Sequence, residues 1–110
     1  MRVGAYSGVP LDSFTVVAEP TRRRILDELR KNESNVGELV TALGISQPSM
    51  SKHLKVLRET GFVSCRVAAQ RRMYRIEASP LRELDEWLLP YRRLWAKHLD
   101  ALEHHLDNEE

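Results

Sequence analysis

Apolar residues return along this chain at three- and four-residue intervals, in short bursts cut apart by polar or proline-bearing breaks. Leu11, Phe14 and Val17 predict a first helix, which the Glu19-Pro20 step ends or turns sharply, because a residue before proline avoids the helical conformation. A second helix is expected from about Pro20 to Arg30, with Ile25, Leu26 and Leu29 facing inward. "KNESN" then breaks the rhythm, and Asn35 with Glu38 has the spacing of a capping box ahead of Val36, Leu39, Val40 and Leu43. Gly44 stops that two-turn helix. Ser46 caps the next, Pro48 falls in its first turn where a missing N–H costs nothing, and Met50, Leu54 and Leu57 mark its inner face as far as about Thr60.

Gly61 suits a left-handed helix ending, after which the pattern changes period. "FVSCRV" and "RMYRIEA" predict a hairpin of residues 62–67 and 72–77, whose tip "AAQR" lacks the Gly or Asn-Gly that would fix a turn type. Ser79-Pro80 opens a long amphipathic segment to about Leu106, in which Leu81, Leu84, Leu88, Tyr91, Trp95, His98 and Leu102 form one seam. Pro90 lies inside it and predicts a kink near Glu86–Pro90. The fold class is therefore mainly α with a small β-hairpin, in the order α-α-α-α-β-β-α. Residues 1–10 are expected to be a flexible arm, 11–79 the folded core, 80–106 the kinked C-terminal helix and 107–110 an acidic tail.

Length and composition add limits. With 110 residues, 42% of them hydrophobic, one modest core is expected. The start "MRVGAYSGVP" lacks the apolar run of a signal peptide, and no segment is long enough to span a bilayer, so a cytoplasmic protein with no membrane partner is expected. A lone Cys65 rules out an internal disulfide and fits no zinc-ligand spacing. There is no Gly-rich phosphate loop and no nucleophile beside a placed base, so an enzyme is not expected.

Charge changes the picture more. The net charge of +1 conceals a division: residues 1–77 carry 13 Lys/Arg against 8 Asp/Glu, and residues 78–110 carry 4 against 8. Within residues 46–75, Lys52, Lys55, Arg58, Arg66, Arg71, Arg72 and Arg75 face Glu59 alone. Such a field attracts a polyanion.

Two short helices joined by Gly44, Ile45 and Ser46, with the second polar outside and apolar inside, form a helix-turn-helix, and the hairpin is placed like its wing. Small Ser46, Ser49 and Ser51 let a helix approach base edges closely. Gln47 can pair bidentately with adenine, and Lys52, His53 and Lys55 can donate to guanine or phosphate. Arg66, Gln70, Arg71 and Arg72 of the hairpin suit phosphate contact or a narrow minor groove. Of Arg22, Arg23 and Arg24, which point in different directions, one is expected on phosphate and the others in solvent. The C-terminal seam, with Trp87, Tyr91, Leu94, Trp95, Leu99 and Leu102, offers more apolar surface than a monomer of this size leaves wet, which predicts a homodimer.

The stretch "AEPTRRRILDELRKNESNVGELVTALGISQPSMSKHLKVLRETGFVSCR" followed by "RRMYRIEASPLRELDEWLLPYRRLW" resembles the ArsR-type winged helix-turn-helix repressors of bacteria, over about Leu11 to Leu106. The resemblance implies a homodimer built through the first and last helices, with Leu11, Phe14, Leu84 and Leu88 joining the seam. It also implies binding to a pseudo-palindromic double-stranded DNA operator, with Gln47, Ser49, Ser51, Lys52 and His53 on the recognition helix and Arg71 and Arg72 on the wing. Relatives that sense metal through thiolates do so on the helix before the turn, where "VGELVTAL" has no Cys. Asp100 and His104, with His98 or His105 nearby, leave a metal-responsive repressor as an alternative, but the full acid/His set is missing, so neither metal nor cofactor is expected. A winged helix serving only protein contacts is a second alternative. A small-molecule inducer beside Trp87, Tyr91 and Trp95 stays open.

Overall fold

The computed structural model describes residues 12–108. Leu11, the N-terminal arm and the last two acidic residues lie outside them.

Each helix begins where its local chemistry dictates. In α1 (Ser13–Ala18) the Asp12 carboxylate accepts from the Thr15 N–H at 2.8 Å. Glu19 is held extended by the proline that follows it, and its carboxylate then caps α2 (Pro20–Lys31) by accepting from the Thr21 N–H. For α3 (Val36–Leu43) both arms of the predicted capping box are present, each at 2.8 Å between Asn35 and Glu38. Gly44 closes it in the left-handed region at φ 67°, and Ser46 opens α4 (Gln47–Glu59) by accepting from the Ser49 N–H. At the end of α4, Gly61 at φ 83° allows Phe62 N–H to reach the Leu57 carbonyl at 2.8 Å while Gly61 N–H reaches Arg58. This paired ending turns Phe62 directly back beneath Leu57, and both side chains are fully buried.

Strands β1 (Val63–Ala68) and β2 (Arg71–Ile76) pair antiparallel, from Val63 opposite Ile76 to Ala68 opposite Arg71. They are offset by one residue from the predicted spans, because the reversal takes only two residues, Ala69 and Gln70. A third partner was not predicted: Ser34, in the break between α2 and α3, exchanges both backbone hydrogen bonds with Tyr74, at 3.0 and 2.8 Å. The three arginines also make contacts that were not predicted. Arg22 and Arg23 donate to the Val16 and Val17 carbonyls that α1 leaves open, at 3.4 and 2.6 Å, and Arg24 donates to the Leu43 carbonyl of α3 at 3.0 Å. Helix C-termini attract cations, so this run ties three helices together, while Arg23 and Arg24 remain exposed to solvent as expected.

Val16, Ile25, Leu29, Leu39, Met50, Leu57 and Phe62 fill the core, with Val63 and Tyr74 closing it from the hairpin. From this core α5 (Ser79–Asn108) departs. Leu81 and Leu84 still pack against the core and Phe14 of α1 meets Trp87; along the rest of the seam the large apolar side chains are exposed. At 30 residues α5 is about 45 Å long. The radius of gyration is 18.8 Å, where a compact chain of this size would have about 13 Å. Pro90 lies within α5 and does not divide it into two helices.

Three carboxyls are held below their ordinary values: Asp12 chiefly by the Thr15 N–H, Glu19 by the Thr21 N–H, and Glu77 by the Ser64 hydroxyl at 2.5 Å. A carboxyl depressed on folding stabilises the fold above its unfolded pKa, and that stability is lost as pH falls through the folded pKa. Stability is therefore expected to be level from neutrality to about pH 5 and to decline below it. The urea midpoint across pH measures this, with Glu77→Gln expected to show a shallower acid decline. An equally steep decline in that variant would remove Glu77 from the account.

Candidate nucleic-acid interface

The buried line Met50, Leu54 and Leu57 fixes which sides of α4 remain for other uses. At 100° per residue, Gln47, Ser51, Lys55 and Arg58 form the flank toward the hairpin, Pro48, Lys52 and Glu59 the outermost line, and Ser49, His53 and Val56 the flank toward α1 and α2. The contacts agree with this division. Ser51, Lys55, Arg58 and Glu59 line a hollow of about 220 Å³ whose far wall is Tyr74, while His53 Nε2 lies 3.8 Å from the Glu19 carboxylate.

Gln47, Ser51, Lys52 and Lys55 are exposed, and none of these side chains forms a hydrogen bond or ion pair among the described residues. They are uncommitted groups on one open surface. Ser46 is exposed with its hydroxyl engaged in capping, and Ser49 is half-buried. His53 is only 18% exposed and is turned toward Glu19. Arg58 was not among the predicted contact residues, yet it continues the row of Ser51 and Lys55 at i, i+4, i+7, a spacing that could have found it.

The hairpin divides its charges as well. Arg66 is paired with Glu33, and Arg75 donates to Glu77 and Ser64 at 3.3 Å each, so both are tied to the protein. Gln70, Arg71 and Arg72 at the tip are exposed and make no such contact among the described residues. Opposite Arg72, Val67 is 73% exposed, as the sheet extends beyond the core there. Ala69 and Gln70 stand at φ 59° and 116°, a region in which side chains other than glycine are strained.

On α5, Phe14 of α1 meets Trp87 edge-on at 5.5 Å, and Trp87 meets Tyr91 at 5.0 Å. Phe14, Trp87, Leu88, Tyr91, Leu94, Trp95, Leu99 and Leu102 are exposed, Trp95 at 65%, whereas Leu84 is half-buried against the core. Among the described residues, no group of three or more His, Cys, Asp or Glu side chains is placed to hold a metal ion, and no helix is long and apolar enough to cross a membrane.

A three-residue turn between helices, an uncommitted polar row on the second, and a two-stranded hairpin braced by the Ser34–Tyr74 bridge define a winged helix-turn-helix. Comparison with known proteins agrees. Residues 19–64 match the model of the bacterial regulatory protein, arsR family. The chain is 34% identical over 100 residues to the HTH-type transcriptional regulator Rv2034 of Mycobacterium tuberculosis, covering 91% of each chain. It is 31% identical to the transcriptional repressor SdpR of Bacillus subtilis over 71% of this chain and 87% of that one. The crystal structure of an ArsR family transcriptional regulator superposes with a TM-score of 0.65 at 30% identity, covering 76% of this chain and 87% of the other. The chain belongs to the ArsR family.

The tip strain can be measured. Replacing Ala69 by Asn and Gln70 by Gly, residues that accept positive φ, is expected to raise unfolding stability by about 1 kcal/mol in urea titrations. No gain would mean that the tip is relaxed.

Proposed function

We propose that the chain is a sequence-specific DNA-binding transcriptional repressor that acts as a homodimer on a pseudo-palindromic operator. The uncommitted row Gln47, Ser51, Lys52 and Lys55 carries the reading, because a folded protein leaves a cluster of unpaired donors on a core-anchored helix for a partner rich in acceptors. Gln47 and Ser51 suit base edges. Lys52, Lys55 and Arg58, with Arg71 and Arg72 on the wing, suit the backbone phosphates on either side. The repressor named among the relatives supports the direction of control. A protein-interaction module would have no use for a cationic wing tip without ion pairs.

Dimerisation rests on α5. An apolar stripe exposed from Trp87 to Leu106 is far more than single scattered side chains, and a two-fold partner would bury it on both copies. Such a dimer sets two recognition helices about 34 Å apart, one turn of DNA.

Operator fragments selected from random sequence and titrated against competitor DNA test the reading; absence of any preferred duplex at moderate salt would overturn it. Lys52→Ala is expected to weaken binding to all sequences alike. It is also expected to reduce the salt slope by about 2, since each lost phosphate contact contributes about 0.9 and a dimer loses two. Gln47→Ala is expected to relax preference at one or two base pairs, at a cost of about 1–3 kcal/mol on the preferred site.

Trp95→Asp places a charge in the exposed stripe without touching the core. Sedimentation is expected to show monomers with weak operator affinity. An unchanged dimer would exclude α5 as the interface.

A further inference from the structure

A helix seated chiefly on one apolar line has its rotation set by contacts on its flanks; α4 sits on Met50, Leu54 and Leu57, with Val56 half-buried against the core beside them. A roll of 20° displaces the outer side-chain atoms of α4 by about 2 Å, enough to break a hydrogen bond to a base edge. Some contact on a flank must set the angle. On the wing side a hollow lies between Ser51, Lys55 and Arg58 of α4 and Tyr74 of β2. On the other flank His53 faces Glu19, and this is the sole ion pair or side-chain hydrogen bond joining α4 to another element among the described residues.

Resting on the DNA-binding reading above, we propose that His53 is a positioning residue, clasped to Glu19 at the start of α2, that fixes the rotation of α4 and thereby aims Gln47, Ser51 and Lys52. Glu19 is a suitable anchor because its two oxygens are divided. Oε1 accepts from the Thr21 N–H at 2.5 Å and locks the carboxylate to α2, which leaves Oε2 for His53 at 3.8 Å. Arg22, whose charge also acts on Glu19, is drawn off by the Val16 carbonyl, so it does not replace His53 as the partner. With 18% of its side chain exposed and its ring turned to α2, His53 is poorly placed to read a base.

The test combines His53→Ala, Glu19→Gln, their double variant and His53→Lys. Gln at position 19 keeps a carbonyl for the Thr21 N–H and removes only the charge. On the free protein, urea unfolding of the four-member cycle is expected to show a coupling of about two- to fivefold in the unfolding constant, the range of a partly exposed ion pair. Additive losses would overturn the clasp, whether or not the protein binds DNA. On a selected operator and a panel carrying single base-pair changes, His53→Ala and Glu19→Gln are each expected to weaken binding by about two- to fivefold. The order of preference is expected to stay the same, the double variant to be no worse, and His53→Lys to recover affinity. A change of preference at one base pair in His53→Ala alone, with Glu19→Gln silent, would make His53 a base reader and end the proposal. Failure of the wild-type chain to prefer any duplex would instead strike the DNA-binding reading, with the unfolding cycle still deciding the clasp.

Discussion

The contact on which the molecule depends is the seating of α4 on the core through Met50, Leu54 and Leu57. Burying three such side chains contributes about 5–9 kcal/mol, a large share of what holds a domain of this size together. The same three positions decide which residues of α4 stay wet. The open polar face and the core are therefore two sides of one helix, and neither can be altered without moving the other. Phe62 completes the arrangement by folding back under Leu57, so the helix ends against the core and the hairpin starts from a fixed point.

Much of this was legible in the sequence because caps, turns and periodicity are local. Asn35 with Glu38, Ser46, Gly44 and Gly61 each act within a few residues, and all occupy the positions their spacing indicated. What escaped is non-local. Ser34 reaches Tyr74 across forty residues, Glu33 reaches Arg66, Arg24 reaches Leu43 and Glu19 reaches His53. No periodicity encodes such partners, since either member alone reads as an ordinary surface polar residue. The proposed recognition row was visible as a class of residues, but its division into an open flank and a committed flank needed the fold.

Charge behaves in the same way. Counting cations located the right region between residues 46 and 75, yet Arg66 and Arg75 are neutralised by carboxylates close by. Among the described residues, the cations of this region left without partners are fewer than the count suggested, and they fall at the two ends of the surface: on the exposed face of α4 and at the tip of the hairpin. That arrangement matches a partner whose negative charge runs as two rails with informative chemistry between them.

Finally, among the described residues α5 is held mainly through its first turns and the six-residue α1, while extending about 45 Å. It is thus a lever with a short fulcrum. A tilt of 5° at its base carries its far end through about 4 Å, given that length. If two copies share that shaft, a disturbance at Phe14 and Trp87 too small to alter either head would still spoil the span between them.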